Sequence, residues 1–281
     1  MAVRDTLKAR LDEQLRRASA RSVESIAKRW GASFPMWIGC GYPKSGTVWL
    51  CKLLSSYLGV PYPQNYRAPI AMSSVIHAHW DYDPRFPPTA YIVRDGRDAL
   101  VSMYFHQLRT MREGRNPRQV DRLRRRFEHA WGRDFDVTRV RENLPRFIEL
   151  EVTRPSSGRR TWAEHVTDWA LDDRPRVSVV TYEAMLRDPQ QALGRLMADL
   201  TQQPPDLELV DLAVRRHEFS RISGRSPGTE DVTSFQRKGV SGDWTNYFSR
   251  AAGEVFDAAA GEALVALGYA ESRRWHEALP R

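Results

Sequence analysis

Pro35-Met-Trp-Ile-Gly-Cys-Gly-Tyr-Pro-Lys-Ser-Gly-Thr-Val-Trp49 decides the fold. The first half, through Tyr42, is a short apolar run bounded by proline and glycine, which reads as a buried strand. Pro43-Lys-Ser-Gly-Thr47 is a turn. Val48 to Leu58 then repeats apolar residues at helical spacing (Trp49, Leu50, Leu53, Leu54, Tyr57), and Gly59 and Pro61 stop it. Strand, loop and helix in that order make the first unit of a parallel sheet.

Working outward, three more strands are expected. Ser73–His79 and Thr89–Arg94 are β-branched or apolar in their middles, and Arg176–Tyr182 follows a helix over Thr161–Leu171. The second of these opens into a helix from about Asp98 to Leu108. Helices are also expected over Gln190–Leu200, Leu207–His217 and Ala251–Leu267. Alternating strands and helices predict one α/β, P-loop-like domain over 1–281, with a central, mostly parallel sheet flanked by helices. Residues 4–29 read as an amphipathic helix, within an N-terminal helical segment 1–30. Residues 109–160 are polar and arginine-rich with breaks at Pro117, Pro145 and Pro155, and read as an excursion: a lid, an acceptor-site flap or a partner surface.

Composition narrows the classes. Of 281 residues, 41% are apolar and 28% charged, which excludes wholesale disorder. No apolar run approaches the roughly 20 residues of a membrane helix, and the N-terminus is charged throughout, so a cytoplasmic location is expected. Two cysteines, Cys40 and Cys51, exclude a disulfide framework, and no Cys/His cluster points to a metal. The 43 Lys and Arg outnumber the 35 Asp and Glu, for a formal charge of +8. Almost all of that positive charge is arginine, a bias that a high-GC bacterial genome would give. Lysine occurs only at 8, 28, 44, 52 and 238, and Lys44 and Lys238 sit in glycine-containing loops where a compact charge is useful.

Three motifs carry chemistry. Gly41-Tyr-Pro-Lys-Ser-Gly-Thr47 lies between a strand and a helix, where free N–H groups and the dipole favour an anion. It is not a Walker A loop, because Lys44 precedes Ser45 and Gly46. Val93-Arg-Asp-Gly-Arg-Asp98 leaves the carboxyl end of a strand, where α/β sheets place ligands, and Ser102 follows eight residues after Arg94. Arg237-Lys-Gly-Val-Ser-Gly-Asp-Trp244 suits a loop folding over a phosphate. Each also has a plain structural reading: a βα turn, a solvated ion-pair network and a basic turn.

Together they resemble the cytosolic-type sulfotransferases. Tyr42-Pro-Lys-Ser-Gly-Thr-Val-Trp49 is similar to that family's 5′-phosphosulfate loop, Arg94 and Ser102 to its 3′-phosphate pair, and Arg237–Trp244 to its C-terminal nucleotide loop. Trp162–Trp169 and Val179–Glu183 resemble family segments in the right order.

The resemblance implies 3′-phosphoadenosine 5′-phosphosulfate (PAPS) as donor, 3′-phosphoadenosine 5′-phosphate (PAP) as product, and no metal. Lys44, Ser45, Gly46 and Thr47 would hold the 5′-phosphate and the bridging oxygen; Val48, in the same cofactor-binding stretch, stands where the family often has a second threonine. Trp49 and Phe219 would sandwich the adenine near Tyr182. Arg94, Ser102, Arg237, Lys238 and Gly239 would hold the 3′-phosphate. His79 is the expected base, with Lys44 and Ser102 as the other catalytic candidates. His77 shares its strand face and is the alternative, and His106 is expected to be structural. Glu218, next to Phe219, and the lack of a Thr-Val pair after Phe248 depart from the family pattern; dimerisation is therefore not supported.

The implied reaction is in-line sulfuryl transfer to a hydroxyl or amine of a small-molecule, lipid or glycan acceptor. Trp80, Tyr82, Phe86, Phe105, Trp131 and Phe135 would give that acceptor an apolar wall. Two readings compete: an ATP-dependent kinase of the same fold class, and a nucleic-acid binder using the basic 109–126 segment. The lysine order here, and the lack of a paired Mg²⁺ acid, argue against the kinase, and the basic run has no Gly-aromatic platform. Peripheral contact of the basic segment with a membrane is compatible with the sequence.

Overall fold

The computed structural model describes residues 14–281 except 16–17, 20, 32, 34–35, 64–72, 115 and 157–159. The start of the expected N-terminal helix therefore lies outside the described residues, and residues 21–30 form helix α1. The chain groups into two compact units, one of residues 1–93 and 168–224, the other of 94–167 and 225–281.

The first unit carries the sheet. Strands β1 (Met36–Gly41), β2 (Ser74–Ala78), β3 (Thr89–Val93) and β4 (Val177–Thr181) lie in the order β2-β1-β3-β4. All three pairings are parallel, with Ile38 opposite both Ile76 and Thr89 and Tyr91 opposite Val179. All four strands fall within a residue or two of their predicted places, because short β-branched runs between turn residues have few other ways to bury themselves. After β2, the chain crosses β1 to reach β3. The strand order reverses there, and open α/β sheets place their ligands at the carboxyl ends flanking such a reversal.

Successive strand residues face opposite ways. Ala90 and Ile92 join Val75 and Val180 in a core with α2 (Thr47–Leu58), α8 (Pro189–Thr201) and α9 (Leu207–Arg216). Leu50, Leu53 and Leu54 of α2 and Leu193 and Met197 of α8 are fully buried there, each worth roughly 1.5–3 kcal/mol. Tyr91, between Ala90 and Ile92, turns to the other face and stacks on Trp169 at 5.5 Å. Trp169 in turn stacks on Phe86, and its indole N–H donates to the carbonyl of Trp80. Trp80 and Phe86 are thus core residues and not the acceptor wall expected of them, since a flat stack of rings excludes water more completely than an exposed wall would. The unit is completed by α7 (Tyr182–Arg187) and α10 (Phe219–Ser223).

The second unit is helical: α3 (Gly96–Glu113), α4 (Pro117–Trp131), α5 (Val140–Thr153), α6 (Trp162–Val166) and α11 (Arg250–Ala266). The helix expected over 161–171 appears as α6 followed by a π-helical turn, Thr167–Leu171. The arginine-rich stretch forms the last turns of α3, then α4 and α5. Pro117 is the first residue of α4, capped by Asn116, so it starts a helix instead of breaking one. Pro145 lies inside α5. Its lost hydrogen bond is outweighed by Leu144, Phe147 and Ile148, all fully buried around it. Trp131 and Phe135 stack on each other and pack on Phe127, so these rings too are packing.

Candidate functional site

The first unit assembles the loop expected to meet the phosphosulfate, the base candidates and Tyr182. β1 ends at Gly41, α2 begins at Thr47, and no side chain caps α2. Its first amide groups are therefore available to an anion. Lys44 adopts a left-handed conformation at φ 72° and Gly46 another at φ 97°. A non-glycine residue there is held against a local energy cost, which functional loops often carry. A Cβ on Gly46 would come within 2.7 Å of the Tyr182 ring, so only glycine fits. Tyr182 opens α7 directly after β4 and meets Trp49 edge to face at 5.9 Å.

Three buried polar atoms at this turn have no hydrogen-bond partner: Ser45 Oγ, Thr47 Oγ1 and Trp49 Nε1. Buried polar groups are nearly always satisfied, and each left bare costs about 1–3 kcal/mol. A nucleotide phosphosulfate fits this donor set: two hydroxyls, an indole N–H, uncapped helix amides and the Lys44 ammonium.

β2 ends at Ala78, which places His79 beside the carboxyl end of β1. His79 Nδ1 is 2.5 Å from the carbonyl oxygen of Gly41. A carbonyl only accepts, so Nδ1 carries the hydrogen and Nε2 the lone pair. His77 packs against His79 at 4.6 Å, ring edge to face. Burial lowers the His79 pKa to about 4; its bond to Gly41 acts the other way, and the charge of Lys44 lowers it further. Burial, then His79, lower His77 to about 3. Both rings are neutral at pH 7. Phe219 opens α10 and is half-buried, and Val48 offers no hydroxyl.

The second unit gathers the other motifs. Arg94 Nη2 donates to the carbonyl of Val240 at 3.1 Å, and its guanidinium lies 3.6 Å from Asp98. Asp98, 1% exposed, accepts from the backbone N–H of Gly242 at 2.7 Å and of Trp244 at 2.9 Å. The turn over 237–244 is thereby fixed to the start of α3, with Gly239 at φ 67° and Gly242 at φ 78°. Arg237 lies over the Phe105 ring at 4.6 Å, which assigns Phe105 to holding a cation. Arg237 also pairs with Glu230 and with Asp243, and its Nε is buried without a partner. Lys238 Nζ donates to Asp243 at 2.5 Å. Burial works to raise the Asp243 carboxyl, but bonds from Lys238, Arg237 and Asn246 outweigh it and hold it below the ordinary range. Ser102 is half-buried in the second turn of α3. His106, one turn on, shares a bond with Arg109 at 3.3 Å and packs on Phe235.

Sequence reasoning did not foresee Glu230 as a partner of Arg237. Asp243 stands inside the quoted Gly-Asp-Trp and could have been found as the acid nearest the Arg-Lys pair. Glu230 lies in a polar loop with no pattern to single it out. Among the described residues no group of three or more His, Cys, Asp or Glu side chains is placed to hold a metal ion. None of the described helices is long and apolar enough to cross a membrane.

The family model described as the sulfotransferase domain matches residues 89–268. Human sulfotransferase 1C2 is 23% identical over 264 residues, covering 78% of this chain and 79% of the relative. Dog sulfotransferase 1A1 is 24% identical over 261 residues, covering 77% and 79%. Among solved structures, mouse sulfotransferase SULT7A1 complexed with PAP aligns with a TM-score of 0.62 at 22% identity, covering 90% of this chain and 93% of that one. Retinol dehydratase in complex with androsterone and inactive cofactor PAP aligns at 0.54 and 16% identity, covering 82% and 80%. At these identities the structures establish likeness of fold.

Proposed function

The chain belongs to the sulfotransferase domain family, and on that premise we propose that it moves a sulfuryl group from PAPS to a hydroxyl or amine of a small-molecule acceptor, with His79 as base. The observation that carries this reading is the trio of unpartnered buried donors, Ser45 Oγ, Thr47 Oγ1 and Trp49 Nε1, around an uncapped helix start. When bound, PAPS would supply an activated sulfuryl group and leave as PAP.

Lys44, Ser45, Gly46 and Thr47 hold the phosphosulfate end, with Trp49 next to them against the adenine. Lys44 and the amides of α2 stabilise the charge that grows on the bridging oxygen. Arg94, Ser102, Arg237, Lys238 and Gly239 take the 3′-phosphate, which ATP lacks. His79 Nε2 takes the acceptor proton. The Gly41 carbonyl fixes the ring in the tautomer that leaves Nε2 bare. An anion bound at Lys44 offsets the positive charge that depresses His79, so the ring becomes a stronger base once the donor is in place. These steps call on no metal ion. The relative crystallised with androsterone favours an alcohol on an apolar skeleton among the acceptor classes; a cytoplasmic setting suits such a substrate.

Thermal shift with PAP against ATP tests the reading, followed by transfer of labelled sulfate from PAPS to an extract. PAP should stabilise the chain at concentrations where ATP does not. Equal shifts with the two nucleotides would overturn it.

A further inference from the structure

The cations of the second unit do not stand open. Arg94 faces Asp98, Arg237 faces Glu230 and Asp243, and Lys238 faces Asp243. Three positive groups are matched by three carboxylates. A phosphate dianion entering such a balanced cluster meets as much repulsion as attraction unless one carboxylate leaves.

The three acids differ in how firmly they are held. Asp98 accepts from two backbone amides and is 1% exposed, so moving it would undo the turn. Asp243 is buried and accepts from Arg237, Lys238 and Asn246. Glu230 is exposed, and it meets Arg237 and, at 3.3 Å, the Tyr247 hydroxyl. Its loop is pinned independently. Arg225 donates to the carbonyls of Thr229, Gln236 and Arg237, and the N–H of Asp231 donates to the carbonyl of Arg237. The Glu230 side chain can therefore swing into water while the loop stays in place, and exposed carboxylates lose little by doing so.

Resting on the reading above, we propose that Glu230 is a displaceable counter-anion of the 3′-phosphate subsite: it occupies Arg237 in the free chain and yields that guanidinium to the 3′-phosphate. Asp243 and Asp98 stay and shape the turn, while Glu230 competes. The competition weakens every 3′-phosphorylated nucleotide by the same factor and leaves 5′-monophosphates untouched. It thereby keeps PAP, the product, from being held too long.

Calorimetric titration of the wild type and of Glu230→Gln with PAP and with adenosine 5′-monophosphate tests this. Glu230→Gln keeps the side-chain shape and removes the charge. It should bind PAP about tenfold more tightly, or about 1.4 kcal/mol, with no change for the 5′-monophosphate. Glu230→Ala should show the same gain, which separates charge from any new amide contact. Unchanged or weaker PAP binding in both variants overturns the proposal while leaving the sulfotransferase reading intact. An equal gain for both nucleotides overturns it too, because the effect would then be general electrostatics. A wild type with no preference for PAP over the monophosphate overturns both readings together.

Discussion

His79 donates its Nδ1 hydrogen to the carbonyl oxygen of Gly41 across 2.5 Å, tying the residue after β2 to the last residue of β1. That bond sets the tautomer, and it places the candidate base at the strand end from which the 42–46 loop departs. His79→Asn should abolish sulfate transfer while PAP binding by calorimetry stays within about threefold of wild type. Normal turnover in this variant would move the base to His77.

The pH dependence of stability has a definite sign. Burial holds His79 near 4 and His77 near 3 in the folded chain, against about 6.5 unfolded. Below pH 6.5 the unfolded chain therefore binds more protons than the folded one, and stability falls as pH drops from 6.5 toward 4. The slope from the two rings fades out by about pH 7.5, one unit above the unfolded value. Urea midpoints measured at pH 7.5 and 4.5 should show the loss, and His77→Asn combined with His79→Asn should flatten it.

Lys44 occupies a left-handed conformation at φ 72°. Lys44→Gly should be about 1 kcal/mol more stable than Lys44→Ala, since only glycine adopts that backbone without cost. Both variants should lose about 100-fold or more in turnover, because each removes the charge proposed to stabilise the leaving phosphate. Thermal unfolding and labelled-sulfate assays read the two effects separately.

Thr47 Oγ1 is buried without a partner. Thr47→Val should leave the free chain as stable as wild type or slightly more so, since no bond is lost. PAP should bind about tenfold less tightly, as expected for one bond to a charged group. A marked fall in the thermal midpoint would show that the hydroxyl is structural.

Asp98 fixes the 237–244 turn through Gly242 and Trp244 and faces Arg94. Asp98→Ala should cost about 3–5 kcal/mol, the range for removing one partner of a buried charge cluster. Hydrogen exchange should speed at Gly242 and Trp244 first, because those amides lose their acceptor.

The sheet and most helices were legible because their signals are local. Val75-Ile76 and Tyr91-Ile92-Val93 need only a short apolar, β-branched run and flanking turns to be read as strands. Pro145 misled for the opposite reason. A proline breaks a helix by local rules, yet the burial of Leu144, Phe147 and Ile148 by distant parts of the chain overrides them. Trp80 and Phe86 look alike in sequence whether they line a wall or fill a core, and only the stack on Trp169 settles which.

The amino-acid order by itself determined the parallel strands, the glycine-containing loop at 42–49 between strand and helix, and the identity of the basic residues that follow it. Those features depend on neighbours within a turn or two, where backbone sterics and hydrogen bonding act without help. The tertiary structure alone decided which nitrogen of His79 carries its hydrogen, that Asp98 would anchor a turn 144 residues away, and that Glu230 would sit on Arg237. Each of these pairs groups that approach only after long loops close, at an entropic cost that burial of the whole core offsets and no local pattern records.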